Sequence, residues 1–373
     1  MTYTVYKNID ETSAKWDSFL PDNHHLLSFQ LRILEKSGLS NVNFYYLIFS
    51  NKEGETVGLA YFQDLPFQRE HYNYPLSKNV FLKQLESLFT KRGFRILALG
   101  NLLRINAPGL FFDERKISSL EIFSQLEEFY KSLGSQPDSI LIKDWQFEDD
   151  HHWAKQLKYS PWQADLTMKL KMNPRWKSMD DYVSSLRHRY SQRYRKMRRM
   201  LSPISRRALS EDQIRFFEKE LSQLYLNVVQ RQSIRLLIVT GEYFMEMKKS
   251  LGDCFIVMGY FHGEKLVAFS SNISHENQWE LHYIGLDYHY NKEYSIYFNI
   301  LYDAISDSIE ASKQEMELGR TARNTKAIMG AEPVYFRNYV RFKNRTARLV
   351  TGFLRKFFNQ FNEVDIEVSK PFK

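Results

Sequence analysis

Cysteine is almost missing from this sequence: Cys254 is the single one in 373 residues. No internal disulfide and no multi-cysteine zinc site can form, and this usage fits a reducing compartment. Cys254 lies in an apolar stretch and is expected in the core. Long apolar runs are missing as well, so no segment is expected to cross a bilayer. The first fifteen residues (MTYTVYKNIDETSAK) are polar, without the apolar region of a secretory signal. The expected setting is the cytoplasm, with attachment to the periphery of a membrane left open. No G-x-G-x-x-G, G-x-S-x-G or H-E-x-x-H occurs, which leaves a dinucleotide fold, an α/β-hydrolase and a zincin without support. The stretch from Gly319 to Lys326 lacks the glycine before its lysine and a following Ser or Thr, so it is not a Walker A loop. His24-His25 and His151-His152 sit in polar sequence without ligand spacing and are expected at the surface. No metal is expected.

Aromatic residues, by contrast, are abundant: 28 Phe, 23 Tyr and 6 Trp make 15% of the chain. They suit strands, packed helix faces and apolar pockets. The length suggests two domains, each able to bury a full core.

The formal charge is +8, and the excess is local. Arg187 to Arg207 holds nine bases and no acid; Pro333 to Asn362 holds seven and no acid. In the first stretch Val183, Leu186, Tyr190, Tyr194, Met197 and Leu201 recur at steps of three and four, the apolar stripe of a basic amphipathic helix. Such a helix either packs between two domains with its arginines in water, or meets an anionic partner: a phosphate, an RNA or a lipid headgroup. In the second stretch Leu349, Val350, Phe353, Leu354, Phe357, Phe358 and Phe361 form a similar stripe.

One pattern occurs twice. Asn43–Ser50 and 56–65 read as a hairpin, followed by a helix at 76–92, a strand at 94–101, a helix at 118–133 and a strand at 139–145. Strand character returns at 165–170. In the second half come a hairpin at 254–275, a strand at 279–287, a helix from Tyr294 to about Ala311, and strands at 315–318 and 334–342. Two α+β domains of one type are implied.

The second half resembles the GNAT acyltransferase fold, and the whole chain resembles tandem GNAT-like acetyltransferase-like proteins, relatives of the Fem aminoacyl transferases. The resemblance rests on the Tyr/Arg-rich helix Tyr182–Met200, the junction His282–Ser295 (HYIGLDYHYNKEYS), and Met316-Glu317-Leu318-Gly319-Arg320 with Lys326, Gly330 and Pro333. It implies an α+β fold of two GNAT-like domains in tandem, 1–178 and 210–373, joined by the basic helix at 179–209. It also implies a pantetheine arm lying where two strands splay, with its pyrophosphate at a helix N-terminus, where unpaired amides favour an anion. Asn291 or Ser295 could cap that helix. GNAT enzymes that bind coenzyme A usually carry a Q/R-x-x-G-x-G/A loop there, whereas 287–295 contains no glycine. Fem-type relatives also lack the loop and use aminoacyl-tRNA.

On the strand 279–287, alternation puts Glu280 and His282 on one face and Trp279, Leu281 and Tyr283 on the other. The pair could be a general base, His282, with its orienter, Glu280, or a solvated pair on an uncovered face. Arg320 and Lys326, past a strand end, could hold an anionic donor or acceptor, or bridge to acids. The expected function is N-acyl transfer from an acyl-CoA or another thioester, such as an acyl carrier protein, to an amine on a small molecule, lipid precursor or cell-wall intermediate. A Fem-like aminoacyl-tRNA-dependent transferase, or a non-catalytic module binding RNA or an anionic membrane through the basic helix, is the alternative; no stable DNA partner is expected.

Overall fold

The computed structural model describes residues 1–39, 41–68, 71, 94–145, 152–162, 166–232, 235–343 and 369–373. The helix expected at 76–92 and the stripe at 349–361 lie outside the described residues. The chain forms two α+β units. One comprises Met1–Asp165, Ser233–Leu237 and Phe336–Val364; the other comprises Leu166–Gln232, Ile238–Tyr335 and Asp365–Lys373. The expected division at 1–178, 179–209 and 210–373 is serial, whereas these units interleave along the chain.

The first unit holds β1 (Thr2–Tyr6), β2 (Asn43–Ser50), β3 (Thr56–Phe67), β4 (Phe94–Leu99), β5 (Leu110–Phe112), β6 (Ser139–Trp145), β7 (Ser160–Trp162) and β15 (Arg337–Phe342). Their order is β1-β2-β3-β4-β6-β15-β7, with β5 against β3. Every pairing is antiparallel except β4 with β6. Helices α1 (Ser13–Asp17), α2 (Ser28–Lys36), α3 (Ser119–Ser132) and α4 (His152–Gln156) belong to it. A capping box between Ser118 and Glu121 starts α3, satisfying amide donors that the helix leaves unpaired. Its apolar face (Ile122, Phe123, Leu126, Phe129) joins the core formed with Phe49, Phe62, Leu97 and Ile142.

The second unit repeats the plan with β8 (Leu166–Lys171), β9 (Ile204–Ala208), β10 (Phe255–His262), β11 (Lys265–Ser274), β12 (Gln278–Leu286), β13 (Glu315–Glu317) and β14 (Glu332–Tyr335). The order is β14-β8-β13-β12-β11-β10-β9, and β12 with β13 is the parallel pair. Each sheet thus takes its next-to-last strand from a distant part of the chain: β15 lies between β6 and β7, and β8 between β13 and β14. The single strand expected at 334–342 is consequently two, parting at Phe336. That expected at 165–170 contributes to the second sheet.

Helices of this unit are α5 (Met179–Ser185), α6 (His188–Met200), α7 (Glu211–Phe216), α8 (Glu218–Val229), α9 (Gly241–Leu251), α10 (Tyr288–Tyr294), α11 (Ile296–Glu310) and α12 (Arg323–Ile328). The basic stripe expected on one helix is divided between α5 and α6. Leu186 and Arg187 are extended, because Leu186 bridges Phe372 and the Arg187 N–H donates to the Pro371 carbonyl at 2.8 Å. The helix expected to join two domains is an internal element of the second unit. Tyr190 is buried in its core, Tyr194 meets Tyr302 of α11 edge to face, and Asn299 donates to the Met197 carbonyl at 3.0 Å. Among the described residues two of the nine bases form ion pairs, Arg198 with Asp303 and Arg206 with Asp303 and Asp307, while Arg187 donates to the Phe372 carbonyl at 2.9 Å and Arg207 lies over the Phe261 ring.

Cys254, expected in the core, is exposed. It ends a 3-10 turn in which Gly252 adopts φ 54°, and the strand starts one residue later at Phe255. Among the described residues no helix is long and apolar enough to cross a membrane.

Candidate functional site

The parallel pairing of β12 with β13 covers only three positions, Gln278↔Glu315, Trp279↔Met316 and Glu280↔Glu317. Beyond Glu280, β12 continues to Leu286 paired with β11, whereas the chain after β13 turns to β8, with Leu318 donating to the Met168 carbonyl at 2.9 Å. The strands therefore fork, and two buried carboxylates, Glu280 and Glu317, stand at the fork.

Just past it, the β11–β12 register slips. Ser271 faces Tyr283 and Asn272 faces Leu281, leaving His282 as the extra residue of a β-bulge. A bulge of this kind re-aims side chains. Trp279, Leu281, Ile284 and Leu286 face the core shared with α11. Tyr283, expected beside Trp279 and Leu281, instead meets Tyr225 of α8 and Phe244 of α9. One inserted residue thus lets His282 and Tyr283 both face α8 and α9. Gly285 keeps that side open to close approach, since a Cβ there would lie 2.2 Å from the Phe269 ring.

Glu280 and His282 meet as the alternation implied. His282 Nδ1 lies 2.9 Å from Glu280 Oε1, and its Nε2 lies 2.7 Å from the Tyr243 hydroxyl on α9. The other Glu280 oxygen is 3.1 Å from His275 Nε2. The His282 side chain is 2% exposed and that of His275 37%, so the chain Tyr243, His282, Glu280, His275 runs from the interior to the surface. With Tyr243 donating to Nε2, the imidazole carries its proton on Nδ1 and gives it to Glu280; this tautomer follows from the partners. Tyr243 and His275 carry no sequence signal: Tyr243 lies 39 residues from His282, on another element.

Burial and the Tyr225 and Tyr243 hydroxyls push the Tyr283 phenol well up, and Glu280 adds to this; the nearby Arg320 charge opposes it. Arg320 follows β13, three residues past its end. Lys326 on α12 is buried and donates to the Gly319 carbonyl at 3.1 Å. Loss of water lowers its pKa to about 7, against the pull of Glu317. Glu317 also accepts from Gln278 at 3.0 Å.

Asn291 and Ser295 belong to a different corner. The helix expected from Tyr294 to about Ala311 is α11, and a further helix, α10, occupies the junction before it, the two separated by Ser295 in the left-handed region at φ 53°. Asn291 Oδ1 accepts from the Tyr297 N–H of α11 at 2.7 Å, and the Ser295 hydroxyl lies 3.6 Å from Met200 Sδ. Where β12 ends, α10 is capped by a carboxylate, Asp287, which accepts from the His289 N–H at 3.0 Å. The Asp287 carboxylate also pairs with Lys265 at 3.4 Å, and a coenzyme A pyrophosphate at this junction would compete with it for the amide it caps and for that lysine. The residues present do not fit it.

The first unit has the same fork, where β4 and β6 stop pairing at Leu99↔Ile142, but the chain itself fills it. Between Gly100 and Gly109, which flank Tyr61, a loop is held by Gln63 accepting from the Leu102 N–H and Asp144 from the Ala107 N–H. Lys143 donates to the Arg104 carbonyl at 2.9 Å. A Cβ on Gly109 would lie 2.3 Å from the Gly100 nitrogen, so this approach requires glycine. Nearby His25, expected at the surface, meets the Pro108 carbonyl at 2.7 Å, and burial pushes it down to about 3. His24 beside it falls to about 4 for the same reason.

No family model matches the sequence, and no curated protein matches it. Among solved structures the chain is similar to FemX, at 11% identity and a TM-score of 0.54, over 94% of this chain and 99% of that one. It is also similar to a tandem GNAT protein from the clavulanic acid biosynthesis pathway, at 10% identity and a TM-score of 0.52, over 92% and 99%. These likenesses span nearly the whole chain and show its fold: two GNAT-like α+β units in tandem.

Proposed function

We propose that the protein is an N-acyltransferase whose reaction centre is the fork of the second unit. The observation that carries this reading is the hydrogen-bonded series Tyr243, His282, Glu280 at a bulge where two parallel strands part. In this reading an amine nitrogen attacks the carbonyl carbon of a thioester, a C–N bond forms and the C–S bond breaks. The amine's proton is taken up by this series, with His282 Nε2 as its final acceptor. Glu280 holds the imidazole in the accepting tautomer and steadies the imidazolium that forms. The same proton then returns to the departing thiolate.

Asp287 argues against coenzyme A as donor and for a thioester without a diphosphate at this corner, such as one on an acyl carrier protein. The acid-free outer side of α6 favours one second reading, a Fem-like transferase using aminoacyl-tRNA. Either reading places the protein in the cytoplasm, which suits its one unpaired cysteine. The acceptor is an amine on a small molecule, lipid precursor or cell-wall intermediate, with Arg320 beside the cluster to meet an anionic group on it.

The test is kinetic. His282→Gln and Tyr243→Phe, each checked for folding, should lower kcat about 100-fold to 10,000-fold. Turnover within a few-fold of the parent in both would remove the fork from the chemistry.

A further inference from the structure

The outer side of α6 forms no ion pair among the described residues. Arg193, Arg195, Lys196 and Arg199 are exposed there. Arg189 lies along its neighbour Tyr190. At 100° per residue these five bases and His188 span roughly 160° of the helix surface, along roughly 20 Å of axis. No acid interrupts them.

The position of this surface matters as much as its charge. The last turn of α6 abuts the corner between α10 and α11: Ser295 reaches Met200, and Asn299 reaches the Met197 carbonyl. α10, which also packs against α6, leads back from that corner to Asp287 and the end of β12. His282 lies four residues back from Leu286, about 13 Å along the strand. The helix that carries the basic surface is therefore linked through α10 to the end of the strand that carries the reaction centre.

We propose that the outer face of α6 docks an acidic carrier protein that presents its acyl group on a pantetheine thioester. This inference rests on the acyltransferase reading of the fork and names its donor. Three observations select this partner. A charge-only surface calls for an acidic counterpart. The apolar side of α6, with Tyr190, Tyr194 and Met197, is spent on the core, so the helix cannot lay an apolar face into a bilayer as interfacial helices do. An RNA donor would bring a phosphate with every nucleotide toward Asp287, where α10 already has its anion. A pantetheine arm carries its single phosphate at the end remote from the thioester, close to the carrier, and so brings no phosphate to compete with Asp287 for its amide and its partner Lys265.

The experiment uses the full chain and three probes: a purified acyl carrier protein charged with an acyl chain, bulk tRNA, and phosphatidylglycerol vesicles. Affinity is measured at 50 and 200 mM salt for the parent, for His282→Gln, and for a variant with Arg193, Arg195, Lys196 and Arg199 all replaced by Gln. Circular dichroism confirms that each is folded. The charged carrier should bind the parent and His282→Gln equally. The fourfold variant should lose at least tenfold in affinity, as should the parent at the higher salt. Carrier binding that is absent, or unchanged in the fourfold variant, overturns the proposal. So does binding of tRNA or vesicles that the variant loses while the carrier does not bind. Carrier binding that is lost in the variant, without acyl transfer to any amine, would sustain the docking surface and sink the acyltransferase reading. Transfer from acyl-CoA without carrier binding would do the reverse.

Discussion

Replacing Lys326 by Met should stabilise the protein near neutral pH and flatten the dependence of its stability on pH. Lys326 is wholly buried, and its pKa falls from the ordinary 10.5 to about 7 because the ammonium has lost its water. In the unfolded chain it returns to 10.5, so between about 7 and 10.5 the unfolded state binds more protons than the folded one. Stability therefore rises with pH through this window, and the full cost of burial is present below it. A separation of about 3.5 in pKa corresponds to about 5 kcal/mol over the whole window, of which about 2 kcal/mol falls between pH 7 and 9. Methionine fills similar space without a charge. It forfeits the bond from Nζ to the Gly319 carbonyl, which is worth about 1 kcal/mol. Urea unfolding at pH 6, 7, 8 and 9 would measure the effect as the difference in slope between parent and variant. Parallel slopes would mean that Lys326 keeps an ordinary pKa, and the account of its burial would be wrong.

Other perturbations probe the elements around the fork. Arg198→Met leaves the Asp303 carboxylate, 8% exposed, without its strongest partner, and should cost about 3 kcal/mol in urea unfolding, the low end for a broken buried pair, because Tyr260 and Arg206 remain beside it. Gly285→Ala drives a methyl group to 2.2 Å from the Phe269 ring and 2.8 Å from Leu224 Cβ; a loss of about 1–3 kcal/mol is expected in thermal melts, and an unchanged Tm would show that this face has slack. Asp287→Asn keeps the cap and removes the charge, so coenzyme A should bind several-fold tighter by calorimetry, an effect of about 1 kcal/mol; unchanged or weaker binding would acquit the carboxylate.

The residues of the fork were legible to different degrees, for reasons that lie in the range of each interaction. Glu280 and His282 share a strand, so alternation alone brings them to one face. The bulge was not legible: it depends on how Ser271 and Asn272 register against β12, and it moves Tyr283 to the side opposite the one its position predicts. Tyr243 reaches His282 from another element across tertiary space. Hydrophobic pattern identifies β8 and β15 as strands, but it carries no information about which strand each will join. The apolar stripe of α6 was visible in the sequence; that it faces α11 and not a domain boundary depends on Tyr302, Asn299 and Asp303 a hundred residues away.

The strand order also sets a timetable for synthesis. β15 belongs between β6 and β7, yet it leaves the ribosome about 180 residues after β7 does. At roughly 5–20 residues per second this is a wait of about 9–36 s. Through that interval β6, whose seven residues are all buried in the finished sheet, has an open edge able to pair with any other chain. The nascent first unit is thus exposed to mispairing and to chaperone capture until β15 has emerged, and a ribosome that stalls between β7 and β15 would strand it in that state.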